Sequence, residues 1–186
     1  MAVFFTSDNH HRHRNIIQYS SRPWTFEDQT TELIARWNSR VGEKDDVYHL
    51  GDFVFAGAKN FNQVVEIIKS LNGRIHFIKG NHCDWKLWEM IKQEKLPNVV
   101  WIRDYAEISV NKQKIILSHY PFAIWNQSHR GSWHLHGHCH GSYQGDGKVL
   151  DVGIDNHPDF QVFSFEEIEH FMSQREFVQN SHHRGD

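Results

Sequence analysis

Eight residues scattered along a chain of 186 have the chemistry of metal ligands and proton carriers, and they fall in short motifs. These are Asp8-x-His10, Gly51-Asp52, Gly80-Asn81-His82, a lone His119 and Gly137-His138-x-His140. Carboxylate, imidazole and amide donors in combination suit divalent cations of intermediate softness. Imidazoles beside a carboxylate also suit acid/base work. Each motif follows a strand-like run: Val3-Phe4-Phe5, Val47-Tyr48-His49-Leu50, Ile75-His76-Phe77-Ile78, Ile115-Ile116-Leu117 and Trp133 to Gly137. Open α/β sheets bind ligands in the crevice outside the carboxyl ends of their strands. The motifs are therefore expected to share one site.

The elements that must position them are legible from periodicity. Val3 to Thr6 reads as a strand, followed by a polar loop from Ser7 to Asn15, and Arg22-Pro23-Trp24 punctuates the chain. Thr25 with Asp28 reads as the N-cap of a helix that turns Leu33, Ile34 and Trp37 inward. Val47 to Leu50 is a strand and Phe53 to Gly57 an apolar loop. Asn62 to Leu71 is an amphipathic helix, with Asn72-Gly73 as its stop. Strand Ile75 to Lys79, a helix over Trp85 to Glu94 and strand Val99 to Ile102 continue the α/β alternation. A hairpin then joins Ala106 to Val110 with Lys114 to Leu117, and further strands follow at Trp133 to His136 and Val149 to Val152. Ser164 with Glu167 forms a capping box for a last helix through Met172, and from about Glu176 the chain is polar and expected to fray. No repeat or linker divides it, so residues 1–175 are expected to form one domain with 176–186 as a flexible tail.

Composition narrows the class. Hydrophobic content of 39% and charged content of 23% are those of a soluble globule. A formal charge of −3 gives no global basic field, so attraction to an anion must be built locally. Histidine is the departure, with sixteen residues, although His182 and His183 in the tail read as plain surface. No cationic leader with an apolar core opens the chain, and no apolar run is long enough to cross a bilayer. The two cysteines, Cys83 and Cys139, read as free thiols beside the histidine motifs, not as ligands, and suit a reducing cytoplasm.

Singly the motifs are weak, but in order they resemble the calcineurin-like metallophosphoesterases: Asp-x-His, Gly-Asp, Gly-Asn-His, a lone His and Gly-His-x-His, each after a strand-like run. The resemblance runs from about Val3 to Phe165. Ser7-Asp8-Asn9-His10, with His13 and Asn15, and Asp151-Val-Gly-Ile-Asp155-Asn156-His157-Pro are further similar to small bacterial and phage members. The resemblance implies a four-layer αββα sandwich of two mixed sheets flanked by helices. It implies one ion held by Asp8, His10, Asp52 and His140, and a second held by Asp52, Asn81, His119 and His138. Asp52 would bridge, since a carboxylate can give one oxygen to each of two cations ~3.5–4 Å apart. Manganese is the expected metal, with iron, zinc, nickel and cobalt also fitting such ligands.

The activity expected is hydrolysis of phosphoesters, diesters or monoesters, on small or nucleotide-like substrates. Two divalent cations would contribute +4, Asp8 and Asp52 −2 and a bridging hydroxide −1, leaving about +1 to favour an anionic ester and its transition state. Hydroxide would attack phosphorus in line with the leaving oxygen. Asp52, Asn81 and His82 are the expected catalytic residues, His82 as candidate acid for the leaving group or as a positional hydrogen-bond donor. Two departures bear on this. Cys83 separates His82 from Asp84, where the family usually has an acid directly, and the downstream acid and arginine of its serine/threonine phosphatases are missing. Arg12, Arg14, Trp125 and Arg130 are expected substrate contacts, the last two on a segment, Tyr120 to Ser132, that could cap the pocket. No role follows for Asn156 or His157.

Three other readings compete. A nuclease on polymeric DNA or RNA would want a basic groove, and the sequence offers none. A non-catalytic scaffold would be expected to have lost ligands, and this chain keeps them all. A closed structural zinc site would more often use cysteines. No membrane partner is expected.

Overall fold

Phe4 and Phe5 sit side by side on one strand yet belong to different cores, and that alternation organises the molecule. The computed structural model describes residues 1–82, 84–143 and 145–176. Cys83 and the tail beyond Glu176, with His182 and His183, lie outside the described residues. Strand β1 (Val3–Thr6) leads through a four-residue α1 (Ile16–Tyr19) to helix α2 (Phe26–Arg40). Then come β2 (Asp46–His49), α3 (Phe61–Ser70), β3 (Arg74–Ile78), α4 (Trp85–Glu94) and β4 (Val99–Arg103). Strands β5 (Tyr105–Val110), β6 (Gln113–Ser118), β7 (Trp133–His136) and β8 (Val149–Asp151) follow, before β9 (Phe163–Ser164) and α5 (Phe165–Ser173).

The strands form two mixed sheets flanked by helices, in the orders β4-β3-β2-β1-β9 and β5-β6-β7-β8. One face of the first sheet, through Phe4, Val47, Ile75 and Phe77, packs on Trp37 of α2, Val64 and Ile68 of α3 and Leu87, Trp88 and Ile91 of α4. Phe5 and Ile78 face the other way, toward Ile115, Leu117, Leu135 and Trp133 of the second sheet, with Phe165, Ile168 and Met172 of α5 completing that core. Each fully buried side chain of this size contributes ~1.5–3 kcal/mol.

Local sequence explains the element ends. Thr25 Oγ1 accepts the Asp28 N–H at 3.2 Å, and Ser164 and Glu167 form the full capping box of α5. The β5–β6 turn places Asn111 and Lys112 at positive φ, the geometry of a tight two-residue hairpin. Asp84 caps α4 by accepting the Leu87 N–H. Among the described residues no helix is long and apolar enough to cross a membrane.

Strand register delivers the loops to one edge. Among the parallel strands of the first sheet Thr6 lies opposite His49, and His49 opposite Phe77, so three strands end level. In the second sheet Leu117 pairs Leu135, and His136 pairs Asp151, so β6, β7 and β8 also finish together. Past β1 and β8 the chain pairs again, Ser7 with Gly153, which joins the carboxyl edges of the two sheets.

Candidate metal centre

The loops that leave these edges are held by backbone bonds that continue the strand pairing. Asp8 N–H donates to Gly51 O at 3.0 Å, His10 N–H to Asp52 O at 2.9 Å and His11 N–H to Phe53 O at 3.0 Å. Five of the expected donors sit at positive φ: Asp8 (58°), His10 (48°), Asp52 (53°), His138 (71°) and His140 (46°). Such a conformation costs a non-glycine residue ~1–3 kcal/mol and persists only where surrounding structure imposes it. Here it turns alternate side chains toward a common centre. Glycines make room: a Cβ at Gly80 would overlap the Asp52 carboxylate, and one at Gly137 would overlap Ser7 and Asp8.

The structure brings all seven donors together. Donor atoms of Asp8, His10 and His140 lie within 4.8 Å of one another, as do those of Asp52, His119 and His138. Asn81 joins the second group, its Oδ1 2.8 Å from His119 Nε2 and 2.9 Å from His138 Nδ1. Asp52 links the groups. Its Oδ1 is anchored by the His82 N–H at 2.9 Å, while Oδ2 faces His119 Nε2 at 3.4 Å and His10 Nε2 at 3.7 Å. Asp8 repeats the arrangement, with Oδ2 accepting the His138 N–H at 2.9 Å and Oδ1 facing the His10 and His140 Nε2 atoms at 3.7 and 3.8 Å.

These residues fit divalent cations. Asp8 Oδ1 and both His10 ring nitrogens are buried without a hydrogen-bond partner, a costly state for polar atoms unless something else satisfies them. His119 Nδ1 lies 2.9 Å from the Leu50 carbonyl, which can only accept, so Nδ1 carries a proton and Nε2 is the ring nitrogen left facing Asp52 and Asn81, the atom a cation would take. The gaps of 3.4–3.8 Å are too long for good hydrogen bonds and short enough for both atoms of each pair to reach one ion.

Charge follows the same logic. Burial alone would raise the Asp52 pKa, but the His119 imidazole that faces it, the His82 N–H and His10 hold it down at about 2. Asp8 is likewise held below the usual range, the imidazoles of His10, His140 and His119 outweighing burial. Burial disfavours charge on His119 and His140, yet their carboxylate partners prevail and both pKa values rise. On His138 burial wins and the pKa falls.

One supporting network was not legible in the sequence. His140 Nδ1 lies 2.7 Å from Asp155 Oδ2, and Asp155 is gripped by the buried Arg22 at 2.7 Å through Nε and 3.0 Å through Nη2. Arg22 also donates to the Asp8 and Asn9 carbonyls, at 2.7 Å each. The Arg22-Pro23-Trp24 segment read as punctuation therefore holds both the Asp8 loop and, through Asp155, the His140 ring. Asp155 keeps its charge, its pKa brought down to about 2 by His140 and Arg22 against the pull of burial. Asp155→Asn is expected to weaken divalent-cation binding about 10- to 100-fold, the usual effect of losing a ligand's supporting partner. A Mn²⁺ titration matching the wild type would assign Asp155 to the fold alone.

His82 stands exposed at the rim, its ring 5.5 Å from that of His10. Arg14 pairs with Glu27 at 3.5 Å and covers the Phe26 ring, and Arg12 lines a groove with Phe26, Glu27 and Gln63. Trp125 packs 5.3 Å from the His134 ring and donates to Ser132 O, while Arg130 is exposed on a short 3₁₀ turn. Asn156 donates to the Asp151 carbonyl, and His157 meets Arg40 at 3.1 Å, so both tie the fold together.

The profile of the calcineurin-like phosphoesterase superfamily domain matches residues 1–151. An uncharacterized protein of Methanocaldococcus jannaschii is 34% identical over 142 residues, covering 76% of this chain and 70% of that protein. The gene 66 protein of mycobacterium phage D29 is 27% identical over 178 residues, covering 82% of this chain and 87% of its own length. Among solved structures, a protein of unknown function from Aquifex aeolicus superposes with a TM-score of 0.70 at 24% identity, over 91% of this chain and 98% of the other. An archaeal phosphodiesterase shares the fold at a TM-score of 0.50 and 18% identity, with 82% of each chain covered. Since the matched segment carries every one of the seven donors gathered at the sheet edges, the chain belongs to the calcineurin-like phosphoesterase superfamily and is a metal-dependent hydrolase of phosphoric esters.

Proposed function

We propose that the chain hydrolyses small phosphodiesters or phosphomonoesters with two divalent cations, manganese first among them, one at each donor group. The observation that carries this reading is the Asp52 carboxylate, whose Oδ2 faces a histidine of each group, His10 and His119. When bound, such a pair of ions supplies an acidified water as nucleophile and positive charge for the phosphoryl oxygens. The protein's own part is to fix the ligands. Asp8 and Asp52 stay ionised, each with one oxygen anchored by a backbone N–H, so both remain oriented throughout a turnover. His82 lies on the His10 side of the rim, and its position is set through its own N–H bond to Asp52. There it can give a proton to the departing oxygen.

A small substrate is favoured because the formal charge of −3 gives no general basic field and Arg14, one of the arginines expected to grip phosphate, pairs with Glu27. A polymeric strand would require a basic track beside the centre. Cys139 as a free thiol suits a reducing compartment, and the cytoplasm is the proposed location.

Stripping the protein and restoring Mn²⁺, Ni²⁺ or Zn²⁺ singly tests the reading, with a phosphomonoester, a phosphodiester, cyclic nucleotides and single-stranded DNA as substrates. Metal-dependent turnover of a small ester is expected; turnover confined to the DNA strand would favour the nuclease reading. The role of His82 has its own signature. His82→Ala should slow an alkyl or nucleoside ester by about 10²-fold or more, yet slow a nitrophenyl ester far less, since that leaving group needs no proton. Equal losses on both would leave His82 as a positioning donor.

A further inference from the structure

Two large aromatic side chains stand exposed at the centre, one beside each donor group, and the chemistry of the ions does not need them. Phe55 is 47% exposed, with its ring 4.3 Å from that of His13 and 5.6 Å from that of His82, both of which neighbour His10. Tyr120 is 50% exposed, 4.6 Å from the His138 ring and 5.2 Å from the His119 ring. Neither stands on loose chain. The Phe55 N–H donates to the His11 carbonyl at 2.9 Å, beside the His11–Val54 bridge, and the Tyr120 carbonyl accepts the Ser118 hydroxyl at 2.6 Å. An apolar ring left in water at the mouth of a polar site gains from covering by a flat partner, and base–aromatic stacking is the common form of that gain.

We propose that Phe55 and Tyr120 are the specificity residues of the site, stacking planar rings carried on either side of the phosphorus, which makes a nucleoside phosphodiester the substrate class. The proposal rests on the reading of the donors as a phosphoester-cleaving centre and adds direction to it. His82 neighbours Phe55, so Phe55 meets the ring of the departing group. Tyr120 neighbours His119 and His138 and meets the ring that stays with phosphate.

The test uses the Mn²⁺-loaded protein, a dinucleoside monophosphate and a ring-free glycerol-based phosphodiester. The wild type is expected to prefer the dinucleoside ester. Phe55→Ala should reduce that preference about tenfold, mainly through KM, with Phe55→Tyr retaining it. Calorimetry supplies a readout independent of turnover: Tyr120→Ala should weaken binding of a nucleoside monophosphate about tenfold relative to inorganic phosphate, with Tyr120→Phe retaining the difference. A wild type indifferent to rings, or variants that lose both esters and both anions in equal proportion, overturns the proposal. If neither ester is cleaved, the hydrolytic reading fails by itself, and the calorimetry still decides the subsite: a ring-dependent difference that Tyr120→Ala removes upholds it, and no difference sinks it.

Discussion

Asp52→Asn should lower kcat/KM by about 10³-fold or more on every phosphoester the protein cleaves, with little change in fold. Asparagine keeps the shape, and its amide oxygen can still accept the His82 N–H that anchors Oδ1 at 2.9 Å. What disappears is the negative charge on the oxygen between His119 and His10. A shared carboxylate neutralises both cations at once, and several kcal/mol of transition-state stabilisation depend on holding both, at ~1.36 kcal/mol per tenfold in rate. Because the Asp52 pKa lies at about 2, the carboxylate is ionised throughout the range in which the protein is folded. The loss should therefore be the same at pH 6 and pH 8. A steady-state comparison at both values, beside matching circular dichroism, checks it. A loss under tenfold would mean that the two groups do not depend on a common ligand.

The second large effect concerns stability in acid. His11, His49 and His134 are buried, and burial, the leading cause in each, brings their pKa values down to about 3, about 3 and about 4. A group that stays neutral in the fold but protonates near pH 6.5 in the unfolded chain withdraws stability as pH falls from about 6.5 toward its folded pKa. At pH 5 the deficit is about 2 kcal/mol for each of the three, so about 6 kcal/mol together, which is comparable with the whole stability of a domain. His119 and His140 act in the opposite sense: with raised folded values, their contribution is present in acid and fades as pH rises through those values. The metal-free protein should accordingly be most stable near neutrality and unfold near pH 5. His11 provides the cleanest variant because neither ring nitrogen has a partner and its ring meets Phe53 edge-on at 4.9 Å. His11→Phe should move the acid transition to lower pH and recover about 2 kcal/mol at pH 5, read by urea denaturation at pH 7 and pH 5. An unchanged difference between the two pH values would show that His11 is not held neutral.

Much of this was legible from residue order, and the reason is physical. The strand-like run Val3-Phe4-Phe5 and the capping pairs Thr25/Asp28 and Ser164/Glu167 are local signals, and the structure uses each of them. The donor motifs were readable because parallel strands that start in register also end in register, delivering dispersed residues to one edge. What escaped depends on tertiary context. Positive φ at Asp8, His10 and Asp52 runs against local preference and is imposed by bonds to the neighbouring strand's loop. The Arg22–Asp155 pair joins residues 133 positions apart, so no window of sequence contains it. The short helix at Ile16–Tyr19 and the two-residue strand Phe163–Ser164 carry too little pattern to be seen, although the strand closes one edge of the first sheet. Arg12, Arg14, Trp125 and Arg130 are expected substrate contacts because they lie beside or between ligand motifs in the sequence. In the structure Arg14 contacts Glu27 and Phe26, Trp125 packs near the His134 ring, and Arg12 lines the groove with Gln63.

The most direct measurement is electron paramagnetic resonance of the metal-free protein titrated with Mn²⁺. A centre built on a shared Asp52 should take up two ions per chain and give the signal of an exchange-coupled pair, and Asp52→Asn should abolish the coupling. A single ion per chain, or two uncoupled ions whose spectrum is indifferent to Asp52, would contradict it.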